Sequence, residues 1–164
     1  MDTFANVIRG TSLVEILQIS TCTFAGIFNG FGLYSAVVEG PSRASLPLRS
    51  RWEQWANSFR IAAKQIGFVS LSMAASSGGV YYLSPSSPVR SLWLVPVGAS
   101  LFSLFYTVFV MAPDIKILLE NDVITKKGHQ WVEKTIGRLR RRNYARVVVI
   151  GVAYLVSIYA AVKS

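Results

Sequence analysis

The chain is poor in the side chains that soluble proteins turn to water and that enzymes use for acid–base or metal chemistry. Charged residues make up 15% of its 164 positions, against about 25% in a typical soluble domain. The single cysteine, Cys22, excludes an intramolecular disulfide and a cysteine metal set. It lies in an apolar run, where a thiol ordinarily serves as a small packing group. The single histidine, His129, stands beside Gly128 in a polar stretch, without the His or Cys partners that a zinc centre needs. It supports no Ser–His–Asp arrangement either. The glycines of FNGFG lack the strand–turn–helix context of a phosphate loop. No acid occupies the middle of a long apolar run; Glu15 and Glu39 stand at the ends of the first. That argues against a transporter with an intramembrane proton relay and against a metal or flavin enzyme.

What is present is hydrophobic sequence in long runs. Hydrophobic residues make up 52% of the chain and aromatics 12%, and the mean hydropathy is +0.42. Four runs predict helices at about residues 13–38, 59–83, 92–111 and 145–163. A helix crosses a hydrocarbon core of about 30 Å with roughly 20 mostly apolar residues. The first three runs have that length. The fourth reaches it with Tyr144 and the snorkelling stem of Arg146. Each run is apolar all round, whereas barrel strands would be shorter and alternate in polarity. Backbone groups in lipid must also be paired within their own segment, which favours helix. Helix breakers fall in the joints, at Gly40 and Pro41, at residues 84–88 and at Pro113. Pro96 falls near the start of the third helix, where its missing N–H costs little. The expected fold is all-α, an integral membrane four-helix bundle forming one transmembrane domain over residues 1–164. The leading segment holds Asp2 and Arg9, and the first run is too long for a signal-peptide core, so no cleavable signal is expected.

The net charge is +9. On a soluble protein this would suggest nucleic acid, but here the basic residues sit between the apolar runs and report orientation. No nucleic-acid partner is expected. The first loop carries Arg43, Arg49 and Arg51, and the third carries Lys116, Lys126, Lys127, Lys134, Arg138, Arg140, Arg141 and Arg142. The second has Arg90 alone. The positive-inside rule therefore puts loops one and three in the cytoplasm and both termini in the lumen or exterior. Within the third loop, residues 115–119 and 131–142 are expected to form short interfacial helices. Val132, Ile136 and Leu139 share one face of the second, with Lys134, Arg138 and Arg141 opposite, within reach of anionic headgroups. The RRR run also resembles an endoplasmic reticulum retention signal.

Intramembrane polar residues are the first place to look for function. The first helix offers Gln18, Asn29 and the glycines Gly26, Gly30 and Gly32. Gly26 and Gly30 form a GxxxG pair that lets a second helix approach closely, from the same chain or from a second copy in a homo-oligomer. An amide at the depth of Asn29 must find a partner, so it either pins another helix or reaches a substrate cavity. Trp52, Trp55 and Phe59 lead into the second helix just before Arg60 and Lys64, and Phe102, Phe105, Tyr106 and Phe109 line the third. An interfacial belt with core packing accounts for Trp93, Tyr81 and Tyr82. Trp55 is different: a little more than one turn before Arg60, it suits stacking and charge contact with an acidic aromatic substrate.

Four segments in order resemble the anthrone oxygenase family of small four-helix membrane proteins, over nearly the whole chain. VVEGPSRASL is similar to the family's apolar helix and Pro-x-Arg turn, giving Pro41 and Arg43. WANSF supplies Trp55 and Phe59. FYTVFVMAPDIKILLE supplies Thr107, Val110, Met111, Pro113 and Leu118, and LRRRNYARVVV supplies Asn143 and Arg146. The chain departs from the pattern at Asp114, Ile115 and Lys116, where the family commonly has Thr-Asn-Asn, at Ala62 for a Gly, and at Leu139 for a Trp.

The resemblance implies a membrane-bound, cofactor-independent monooxygenase of polyketide secondary metabolism; the endoplasmic reticulum is the membrane expected for it. It would oxidise a lipophilic aromatic anthrone to a quinone with O₂ as co-substrate and no metal or flavin. A deprotonated anthrone is electron-rich enough to meet O₂ directly, so the protein need only bind it, favour the enolate and exclude water. Arg60, Asn143 and Arg146 are then expected to stabilise the enolate, with Trp55, Phe59, Tyr106, Thr107 and Asn29 framing the rings. The altered Asp114 segment leaves open a cofactor-free cyclase or isomerase acting on another lipophilic intermediate. A non-enzymatic scaffold binding partners through the GxxxG face and basic loop is the third reading.

Overall fold

The first helix begins at a capping box. Ser12 Oγ accepts from the Glu15 N–H at 3.2 Å, and Glu15 Oε2 accepts from the Ser12 N–H at 2.6 Å, satisfying two donors that a helix start leaves free. The computed structural model describes residues 12–164, so the signal-peptide reading of Asp2 and Arg9 falls outside the described residues. Among the described residues five helices run in order: α1 Leu13–Ala44, α2 Leu48–Leu83, α3 Arg90–Leu118, α4 Val123–Lys127 and α5 His129–Lys163. Among the described residues there is no strand. All but α4 are long and apolar enough to cross a membrane, and the protein is an all-α membrane bundle. α1 packs on α2 and α5, and α3 packs on the same two, so α1 and α3 occupy opposite corners.

These four helices have 29 to 36 residues, or about 44–54 Å at 1.5 Å per residue, so each outreaches the hydrocarbon core. α2 starts at Leu48 and α5 at His129, well before the apolar runs at about 59 and 145. Hydropathy marks only the part of a helix that meets lipid, whereas the helix itself continues until a breaker stops it. Those breakers are Pro47 and Gly128, the latter at φ +81°, a conformation that favours glycine. Residues 131–142 are therefore no separate interfacial helix. Val132 and Leu139 are buried in a cluster with Trp52, Leu118 and Val123, with Ile136 packed against it, so the apolar face meets protein in place of the membrane surface expected for it. Residues 115–118 likewise continue α3 through Pro113, which stands two residues after a widened, π-helical turn at Tyr106–Met111. Such a turn absorbs the missing N–H and the ring that would otherwise break the helix.

The interior is joined by small polar side chains. Thr21 Oγ1 donates to Ser76 Oγ (2.9 Å), Ser100 Oγ donates to the Ser70 carbonyl (3.0 Å), and Ser77 Oγ donates to the Trp93 carbonyl. Short hydroxyls of this kind hold helices together where water cannot compete. Gly26 sits against the Tyr154 ring of α5, 3.2 Å from where a Cβ would stand, and Gly32 lies under Val147, while Gly30 faces open space. One glycine of the GxxxG pair thus serves packing within the chain. At the end away from the basic loops, Trp93 is fully buried with Val80 and Ala160, a core residue and not part of a belt. There Arg90, the lone cation of its loop, lies over the Tyr81 ring and donates to the Tyr81 carbonyl at 2.8 Å. At the basic end Asp114 pairs with Arg142 (2.7 Å) and Arg138 (3.6 Å), so the segment that departs from the family pattern ties α3 to α5.

Candidate functional site

A cavity of about 640 Å³ lies at the basic end, walled by all four long helices. Two widened turns border it. In α1 the π-helical stretch Tyr34–Glu39 presents Ser35 and Glu39 to the cavity, and in α3 the stretch Tyr106–Met111 presents Thr107 and Met111. Turns of this kind are rare and gather at functional sites, because they re-aim side chains that regular winding would point elsewhere. In and just before that stretch α1 meets α5 through its carbonyls: Asn143 Nδ2 donates to Gly32 O (3.4 Å), and Tyr144 Oη donates to Ala36 O (3.2 Å). One wall is aromatic. Trp55 and Phe59, one turn apart on α2, stack with centroids 5.5 Å apart and planes at 16°.

Four arginines and two carboxylates line the cavity. Two of the arginines are already engaged. Arg43 is bonded to Glu39 and donates to Ser58 Oγ at 2.6 Å. Arg51 donates to Glu133 (3.0 Å) and to the carbonyls of Arg43, Ala44 and Leu46 (3.1, 2.7 and 3.1 Å). It thereby satisfies the orphan acceptors where α1 ends and closes the turn into α2. Arg140 and Arg146 have no carboxylate partner among the described residues. The Arg140 stem crosses the α1 backbone at Gly40, where a Cβ would stand 2.8 Å from its Cδ. Arg146 reaches inward, donating from Nε to Ser103 Oγ at 3.0 Å, with its guanidinium 5.7 Å from the Phe28 ring centre. The cavity therefore holds a surplus of positive charge beside a flat aromatic wall. It suits an aromatic ligand that carries or develops an oxyanion.

Trp55, Phe59, Thr107, Asn143 and Arg146 come together on this cavity. Arg60, Tyr106 and Asn29 do not line it. Arg60 is exposed and turns to the end of α3, donating to Leu119 O (3.4 Å) and Asn57 Oδ1 (3.3 Å). Arg60→Ala is accordingly expected to cost at most about 1 kcal/mol, read from thermal melts of the solubilised protein. Tyr106 stacks on Phe102 and packs against the basic-end cluster. Asn29 lies against Gly151 of α5, and its Oδ1 is buried without a hydrogen-bond partner among the described residues. Glu39, Ser58 and Arg140 line the cavity and were not among the expected site residues. The signal for the first was an acid four residues before Arg43 at a helix end, a spacing that also marks ordinary surface ion pairs.

The family model described as Anthrone oxygenase matches residues 55–156, from Trp55 into the transmembrane part of α5. The match takes in Phe59, Thr107, Asn143 and Arg146 and leaves α1, with Glu39 and Arg43, outside the matched stretch. No curated protein and no solved structure matches the chain.

Proposed function

The chain belongs to the anthrone oxygenase family, and on that premise we propose that it is a membrane-bound oxygenase that converts an anthrone-like aromatic of polyketide origin to a quinone. O₂ is the co-substrate, and no metal or flavin takes part. The observation that carries this reading is the pairing of the Trp55–Phe59 wall with the uncompensated Arg146 in one cavity. Stacking holds the planar rings, and the guanidinium receives the oxyanion that forms as the central-ring methylene loses a proton. Asn143 sits one turn before Arg146 on the same wall and offers its amide to the same oxygen. A donor already in place at a developing oxyanion is worth far more in a site shielded from water than in solution.

The enolate is aromatic and electron-rich, so it transfers one electron to O₂ and the two radicals then combine at the former methylene carbon. Loss of water from the resulting hydroperoxide leaves the carbonyl. The sum is one methylene and one O₂ giving one C=O and one water. The bilayer supplies the lipophilic substrate. The basic loops face the cytoplasm, the termini face the lumen, and the membrane is that of the endoplasmic reticulum.

Membranes bearing the protein, given 1,8-dihydroxyanthrone, should take up one O₂ per quinone formed, well above the autoxidation rate in membranes lacking it. Equal rates in the two preparations would sink the oxygenase reading. Proton loss from the substrate without O₂ uptake would replace it with an isomerase.

A further inference from the structure

Glu39 closes the widened turn of α1 and faces the cavity. Its Oε1 is held twice, by the Arg43 guanidinium and by Ser58 Oγ, which donates at 3.1 Å. No donor among the described residues reaches Oε2. A carboxylate fixed through one oxygen keeps a defined direction for the other, which is what a positioned proton acceptor requires. The other cavity carboxylate, Glu133, is 64% exposed and belongs to the rim, whereas Glu39 is 25% exposed. Asp114 is taken by Arg142 and Arg138, and His129 stands exposed at the start of α5. Arg146, the cation suited to the oxyanion, lines the same cavity from α5.

We propose that Glu39 is the general base of this site, taking the proton from the carbon that is to be oxidised, with Arg43 and Ser58 as its positioning residues. The inference rests on the oxygenase reading. The C–H bond breaks, its proton goes to the Glu39 carboxylate, and its electron pair enters the rings as the enolate facing Arg146. After O₂ adds, the Glu39 carboxyl returns that proton to the terminal peroxide oxygen. The regenerated carboxylate takes the second C–H proton as the C=O forms and the O–O bond breaks. The departing hydroxide leaves as water with that proton.

The test separates proton removal from oxidation. Full-length protein in detergent, under argon in D₂O, is given 1,8-dihydroxyanthrone, and loss of the methylene proton signal is followed by NMR. Wild type should exchange well above the protein-free rate. Glu39→Gln should lower the catalysed rate by about 10²-fold or more while still binding 1,8-dihydroxyanthraquinone, read by quenching of the intrinsic tryptophan fluorescence. Acetate should restore exchange to Glu39→Ala, which loss of a merely structural ion pair would not allow. Should Glu39→Gln fail to assemble, Glu39→Asp carries the test. It keeps the charge beside Arg43 and draws the carboxylate back by one methylene, so exchange should fall with binding retained. Wild-type exchange in Glu39→Gln, or in Glu39→Asp where that variant is needed, overturns the assignment alone. A wild-type protein that neither exchanges nor oxidises the anthrone overturns the oxygenase reading as well.

Discussion

Arg146→Ala is expected to lower the turnover of an anthrone by about 10²–10³-fold, the range seen when one donor to an oxyanion is removed, while the protein still assembles. The two halves of that expectation come from the same geometry. Among the described residues the polar contacts of Arg146 are a single hydrogen bond to Ser103 Oγ and the distant face of Phe28. No buried carboxylate is left unpaired when the guanidinium goes, so the heavy penalty for breaking a buried ion pair does not arise. A cation kept at membrane depth is itself expensive, and its removal should leave the melting temperature of the detergent-solubilised protein unchanged or raised. The loss then falls on kcat, because the charge it answers is present in the transition state and not in the neutral substrate. Arg146→Lys restores the charge but not the fork that reaches Ser103 and the ligand together, so it should recover only part of the rate. Steady-state kinetics with a thermal melt on each variant checks this. Full turnover in Arg146→Ala would remove the guanidinium from the mechanism.

The four membrane spans were legible because a run of apolar residues longer than a bilayer is thick has few other uses. The site was legible as segments and not as directions. Successive residues on a helix diverge by about 100°, and each expected site residue that misses the cavity adjoins one that lines it. Phe28 faces the cavity and Asn29 turns to α5; Phe59 faces it and Arg60 turns to the end of α3; Thr107 faces it and Tyr106 turns to Phe102. A motif names the turn, while the phase depends on how the helix is packed. The two π-helical stretches shift that phase further without altering hydropathy. For Glu39 the missing information is tertiary. Its second anchor, Ser58, lies on another helix, and nothing in either segment points to the other. The extension of α5 down to His129 was hidden for a different reason. An amphipathic stretch beside a membrane span has the same pattern whether its apolar face meets headgroups or, as here, Trp52 and Leu118.

Trp52→Ala should cost about 3–5 kcal/mol, the range for deleting a large buried aromatic, and should be the most destabilising change at the basic end. Trp52 is 8% exposed, at the centre of the cluster that joins α2, α3, α4 and α5 beyond the apolar runs. Its Nε1 donates to the Leu118 carbonyl at 2.6 Å, an acceptor that the end of α3 leaves without an intrahelical partner. Trp52→Phe keeps most of the packing and loses the donor, so about 1–3 kcal/mol should separate it from wild type. The consequence reaches the site because Met111, Ile115 and Leu139 belong both to this cluster and to the cavity wall. A void behind them loosens the surface on which the rings stack, and kcat/KM should fall even in the fraction that stays folded. Thermal melts followed by size-exclusion chromatography in detergent, with turnover measured on the surviving peak, separate the two effects. A Trp52→Ala protein that melts with wild type would mean that the projecting ends of α2 and α5 unfold independently of the membrane bundle. The cavity would then be shaped by the membrane-spanning segments alone.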